Sequence, residues 1–67
     1  MKIHVIRSIQ NSIDGIEAIL TRLTDGRLAV SVRDTDADMT LPESRIFPSH
    51  ERGRANAYTE KCAGIPI

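Results

Sequence analysis

Asp34, Asp36 and Asp38 stand at alternate positions in the stretch RDTDADMTLPESR, Arg33 to Arg45. Carboxylates spaced in this way open a calcium-binding EF-hand loop, and Leu41 falls where such a loop carries its apolar residue. The loop also needs a glycine at its sixth position to turn sharply and a bidentate glutamate at its twelfth. Counted from Asp34, those positions hold Met39 and Arg45. The first resists left-handed backbone, and the second puts a positive charge where the ion needs an anion. No helix pair flanks the stretch, so it reads as a solvated loop whose charges discourage edge pairing, and no metal site is expected.

Basic residues toward the C-terminal end offer a different chemistry. His50, Arg54 and Lys61 share one side of a helix, and Arg45 and Arg52 lie near its N-terminus, where unpaired backbone N–H groups favour anions. This shoulder of Arg45, His50, Arg52, Arg54 and Lys61 suits phosphate or a nucleic-acid backbone. Against that stand the absence of interleaved aromatic residues for base stacking and the proximity of Glu51 and Glu60, which makes an ion-paired solvated face the competing reading.

Nucleophilic chemistry finds no frame. Ser, His, Asp and Cys all occur, yet none sits in a nucleophile elbow, a glycine-rich phosphate loop or a metal-ligand spacing. Cys62 lies on the inward stripe of the last helix and reads as a small buried hydrophobe. His4 alternates with Ile3 and Val5 and reads as structural or surface. A chain of 67 residues leaves little volume for a pocket that excludes water and holds a substrate. Neither enzymatic activity nor a cofactor is expected.

The elements that position these residues follow from periodicity. KIHVIRSIQ alternates as a strand, with Ile3, Val5 and Arg7 on one side and His4, Ile6 and Ser8 on the other, and NSIDG, Asn11 to Gly15, reverses the chain. Residues 16–24 carry two patterns. Ile16, Ile19, Leu20 and Leu23 make a helical stripe with a capping box from Asp14 to Glu17. The favoured alternative is a hairpin of strands 16–24 and 27–34 around a two-residue type I′ turn at Asp25-Gly26. That turn pairs Leu23 with Leu28, Thr21 with Val30 and Ile19 with Val32, all on one buried face. The opposite face then holds Leu20, Arg22, Ala29, Ser31 and Arg33 together with Ala18, a semi-apolar surface with small side chains and two arginines.

Short strands follow around Met39 to Leu41 and Arg45 to Phe47, with Pro42 interrupting the ladder as on an edge strand. The chain closes in a helix with Ser49 as N-cap, Ala55, Tyr58 and Cys62 as its packing stripe, and Gly64 with Pro66 as its stop. The expected fold is α+β, a small antiparallel β-meander of three to four strands with one C-terminal helix packed on one face, in a single domain spanning residues 1–67.

Such a chain exposes much of its surface, and with one Phe, one Tyr and no Trp its core is built from aliphatic side chains. A single cysteine excludes an internal disulfide, which makes self-association the expected supplement, most simply as a homodimer. Nine basic and nine acidic side chains cancel, so no long-range field of one sign draws in nucleic acid or membrane. The N-terminal stretch lacks the continuous apolar run of a signal peptide or membrane span, consistent with a soluble cytoplasmic protein. The expected function is a non-enzymatic protein-binding or regulatory module acting on an unidentified protein partner or on itself through Leu20, Arg22, Ala29, Ser31 and Arg33. The alternative is a nucleic-acid-binding regulator using the basic shoulder.

Overall fold

The structure, a computed structural model, describes residues 4–64. Five strands and one helix follow one another along the chain: β1 (His4–Asn11), β2 (Ile16–Arg22), β3 (Leu28–Asp34), β4 (Met39–Thr40), β5 (Arg45–Phe47) and α1 (Arg52–Cys62). The sheet is an antiparallel meander in the order β1-β2-β3-β4, with β5 also paired to β3. Helix α1 packs on β2, β3 and β5. This is the expected α+β plan of meander plus C-terminal helix. No helix among the described residues is long and apolar enough to cross a membrane.

Residues 16–22 are strand, not helix, and the hairpin they form is offset by one residue from the expected register. The pairs are Arg22 with Leu28, Thr21 with Ala29, Leu20 with Val30, Ile19 with Ser31, Ala18 with Val32 and Glu17 with Arg33. The cause is the turn. A type I′ turn needs positive φ at both Asp25 and Gly26, but only Gly26 has it, at 93°. The chain instead makes a three-residue loop in which Gly26 N–H donates to Leu23 O (3.0 Å) and Leu23 N–H donates to Arg27 O (2.8 Å), a type I turn followed by a glycine bulge. Asp25 holds this form, accepting from Arg27 N–H at 3.0 Å and from Arg27 Nε at 2.6 Å. Those bonds, the backbone one foremost, keep its carboxyl below the usual carboxylate range.

Because side chains alternate across a strand, the one-residue shift exchanges the faces of β2. Ala18 and Leu20 join Leu28, Val30 and Val32 under the helix, all buried, whereas Ile19 and Leu23 are only half-buried. Phe47 and Ala55 complete this core, and Ile6, Ile16, Leu41, Tyr58 and Cys62 pack around it. Three of the buried apolar residues are alanines, Ala18, Ala55 and Ala63, which lets the helix lie close to the sheet.

β1 departs from simple alternation. Its register slips between Val5 and Arg7, so that Ile6 and Arg7 together face Leu20 in a two-against-one bulge. Ile6 and Arg7 therefore share the helix side, against the expected grouping of Arg7 with Val5; Ile3 lies outside the described residues. Arg7 Nη1 donates to Asn56 Oδ1 (2.8 Å) and Glu60 Oε1 (3.1 Å) on α1. Asn11 Nδ2 donates to Ala63 O at 2.8 Å, tying the other end of β1 to the end of the helix.

β4 and β5 lie along β3 as one interrupted edge strand. Across the interruption made by Pro42, Leu41 N–H donates to Val32 O (2.7 Å) and Ser44 Oγ accepts from Val32 N–H (2.9 Å), so the ladder of β3 stays satisfied where no strand is present. The preceding acidic loop is held by its own carboxylates. Asp34 Oδ1 accepts from the N–H groups of Asp36 and Ala37, Asp38 takes φ 53° and pairs with Arg33, and Asp36 lies over Gly15. Among the described residues no three His, Cys, Asp or Glu side chains are grouped to hold a metal ion.

Helix α1 begins two residues later than an N-cap at Ser49 would place it. Its N-cap is Glu51, without a side-chain capping bond, and Ser49 lies in the turn before it. Gly64 does end the helix, with φ 80° and its N–H donating to Lys61 O; Pro66 lies outside the described residues. The packing stripe is centred on Ala55 and Thr59, with Tyr58 and Cys62 half-buried beside it. Thr59 is fully buried because its hydroxyl donates to Ala55 O at 2.8 Å and needs no other partner.

Two glycines with opposite roles give a prediction. A Cβ on Gly26 would meet only Ser49 Cβ at 3.9 Å, so Gly26→Ala is disfavoured by its left-handed backbone alone, by about 1–2 kcal/mol. Gly53 has ordinary helical backbone and nothing within 4 Å, so Gly53→Ala stabilises by up to about 1 kcal/mol. Urea unfolding of the two variants is expected to move the midpoint in opposite directions.

Candidate functional site

Among the described residues, no helix or strand lies over one face of the sheet. The register places four residues in a row straight across it, Val5 on β1, Thr21 on β2, Ala29 on β3 and Ile46 on β5. The ends of the row protrude, with Val5 55% and Ile46 53% exposed, and small side chains lie between them. Thr21 is nearly covered, and its Oγ1 donates to Ala29 O at 3.3 Å. Next along the strands come Ser8, Ile19 and Ser31, then Gln10, Glu17, Arg33 and Thr40. In that last row the Arg33 guanidinium lies 3.8 Å from Glu17 and also pairs with Asp38. The face thus grades from an apolar row at one end to an ion-paired row at the other.

The five residues expected to form one surface are divided by this register. Ala29, Ser31 and Arg33 lie on the open face. Leu20 lies on the helix side, only 1% exposed, and Arg22 is exposed but shares that side by alternation along β2. Substituting Leu20 therefore tests folding, not binding. In its place the open face carries Val5, Ile19, Thr21 and Ile46. Val5 and Ile46 carried no signal in the sequence, since their role depends on pairing between distant strands.

The basic shoulder is also divided. Arg45, Arg54 and Lys61 line one cleft beside Phe47, Ala57 and Tyr58. Arg52 lies on the other flank of α1, in a depression with Ile6, Arg7, Leu20, Gly53 and Asn56. His50 is exposed in the turn before the helix. Within the cleft, the Arg45 guanidinium sits 5.0 Å from the centre of the Phe47 ring and 5.8 Å from that of Tyr58, a cation–π arrangement that covers both rings. The rings are tilted against each other with centroids 5.5 Å apart. Arg54 pairs with Glu51 at the N-cap of its own helix, whereas Arg45 and Lys61 make no ion pair among the described residues.

Tyr58 joins the helix to the edge of the sheet. Its hydroxyl donates to Glu43 O at 2.5 Å, and Cys62 lies one turn further along the helix. Burial, and after it the neighbouring Cys62, push the Tyr58 phenol above its ordinary range.

No family model matches the chain, nor does any curated protein or solved structure. Function is therefore read from the surface itself.

The Tyr58 phenol carries a pH prediction. The raised value means that the folded state keeps its proton where the unfolded chain loses it, so the contribution is complete below the ordinary phenol range and is lost as pH rises through the folded value. Ionisation also removes the only proton that the hydroxyl gives to Glu43 O. Tyr58→Phe is expected to lower stability by about 1 kcal/mol near neutral pH and to flatten the loss of stability above about pH 10. Thermal melts of both proteins across that range check the difference.

Proposed function

We propose that this domain is a small, non-enzymatic protein-binding module whose open sheet face binds a second copy of itself. The observation that carries the reading is the row Val5–Thr21–Ala29–Ile46, a largely apolar band on a sheet face that no element among the described residues covers. A sheet normally buries one face against another layer and solvates the other; a protruding valine and isoleucine on the solvated side support reading it as a contact surface.

Charge and shape favour a two-fold partner. A two-fold axis running along the strands between β2 and β3 lays the face on itself with the strand order reversed. Val5 then meets the partner copy's Ile46, Thr21 meets its Ala29, and each Glu17 meets the partner's Arg33. Apolar ends fill one another, small residues in the middle allow close approach, and the two ion pairs become a four-charge ring. An isologous interface asks for this reciprocity, in which one residue contacts a second and the second contacts the first. The longer extents of the domain are 33 and 29 Å. A face of that breadth is of the order of the roughly 800 Å² per partner that a stable interface buries. A cytoplasmic location accords with the free thiol of Cys62.

Nucleic-acid binding has less support. Three of the five shoulder cations share a cleft, but Arg52 and His50 lie away from it and Arg45 covers the rings that bases would stack on. The cations do not form a track long enough to follow a phosphate backbone.

Sedimentation equilibrium tests the dimer. The wild type is expected to be dimeric at micromolar concentration, and Ile46→Asp to weaken association by about 2 kcal/mol or more, roughly thirtyfold. Arg33→Glu weakens it as well, and adding Glu17→Arg restores it by exchanging the signs of the ring. A wild type that stays monomeric throughout, or a dimer indifferent to Ile46→Asp, contradicts the reading.

A further inference from the structure

The groove between α1 and the β4–β5 edge lies on the other side of the sheet from the open face. It has two parts that share Tyr58 and Lys61 as common wall. The inner part, of about 440 Å³, is lined by Ile16, Val32, Leu41, Tyr58 and Cys62, with Glu43 and Lys61 at its rim. The outer part, of about 240 Å³, is the cleft of Arg45, Arg54 and Lys61 over Phe47. Ligand sites on proteins typically measure roughly 300–1,000 Å³ and combine a mainly apolar lining with a few polar groups that fix orientation. The inner part fits that description, with one cation, Lys61, and one carboxylate, Glu43, among its lining residues, and the adjoining outer part adds Arg45 and Arg54.

From this arrangement we infer that the groove is a binding site for a small amphipathic anion, with its apolar body in the inner part and its carboxylate or phosphate head between Lys61 and Arg45. Three observations choose this occupant. Aliphatic side chains and the face of Tyr58 line the inner part, with no buried polar side-chain atom left unpartnered among the described residues, so its floor asks for an apolar body. Lys61 borders both parts and, like Arg45, has no carboxylate partner among the described residues, so the head is met by two positive charges. Among the described residues Glu43 is the one carboxylate lining the inner part; it disfavours a second negative charge on the body and leaves the anion's head directed to the outer cleft.

The Tyr58 hydroxyl is engaged with Glu43 O, so it holds the loop from Leu41 to Ser44 as the outer wall and does not point a donor at the ligand. The site shares no residue with the open sheet face, and its test is independent of the dimer.

The test is an NMR titration of the amide spectrum with octanoate and with octyl phosphate, which separate the two heads. Octyltrimethylammonium serves as the charge-reversed control. Saturable shifts are expected at Leu41, Tyr58, Lys61 and Cys62 for at least one of the anions, with the cation binding at least tenfold more weakly. Lys61→Glu, an exposed position, is expected to weaken the anion by roughly tenfold or more, as loss of a charge-assisted contact implies. It should leave the spectrum dispersed, which shows that the variant is folded. Bound octanoate or octyl phosphate should also slow alkylation of Cys62 by iodoacetamide in the wild type. No saturable shift with either anion, equal binding of the cation, or shifts confined to Val5, Ala29 and Ile46 on the opposite face would overturn the assignment.

Discussion

Two backbone hydrogen bonds between Leu23, Gly26 and Arg27 decide what every residue of β2 and β3 is for. They close a three-residue loop where two residues would also have turned the chain, and so set the register of the central hairpin. With that register, Ala18 and Leu20 face α1, and Glu17, Ile19 and Thr21 face outward. A slip of one residue would bring Ile19, Thr21 and Leu23 beneath the helix and expel Leu20, exchanging a compact apolar set for one with a hydroxyl in its centre. The buried alanines Ala18, Ala55 and Ala63 suit the observed arrangement, since their small side chains leave room for the helix to approach the sheet. The open face and the helix-side groove both follow from this choice.

The core so formed is small, and polar contacts define how its two layers meet. Arg7 reaches from the bulge in β1 to Asn56 and Glu60, Asn11 closes onto the helix end at Ala63, and Tyr58 reaches the loop at Glu43. Each is worth only about 1 kcal/mol net. Together they act at three separated points around α1 and specify one orientation of the helix, which an alanine-rich seam alone would hold loosely. Satisfaction is local where it can be. Thr59 turns its hydroxyl back to Ala55, and Ser44 meets the amide that the interrupted edge strand leaves open.

Much of this plan is legible in the residues. Alternating β-branched segments, the reversal at Asn11 to Gly15, the hairpin centred on Asp25-Gly26, the edge character of the segment around Pro42 and the helix stop at Gly64 all follow from local chemistry. The register does not, because Asp-Gly serves two loop lengths and the choice rests on whether Asp25 takes positive φ or uses its carboxylate on Arg27. The bulge at Ile6 and Arg7 is equally silent, since it is set by pairing with a strand and a helix elsewhere in the chain. Thr59 is unremarkable by composition and becomes a core residue only through its bond to Ala55. Surface sites suffer most from such omissions. Leu20 moves from the expected contact surface to the core, Ile46 takes a place on the open face, and Arg45 lines one cleft with Lys61 only because β5 pairs with β3.

The same register links the fold to both surfaces, and it is directly observable. In an antiparallel pair, opposite residues without mutual hydrogen bonds bring their Cα atoms to about 4.5 Å, close enough for strong cross-strand Hα–Hα contacts in a nuclear Overhauser spectrum. The structure predicts such contacts between Leu20 and Val30 and between Ala18 and Val32. Contacts between Thr21 and Val30 or between Ile19 and Val32 would instead show the two-residue turn, place Leu20 on the outside, and contradict the account of core, face and groove together.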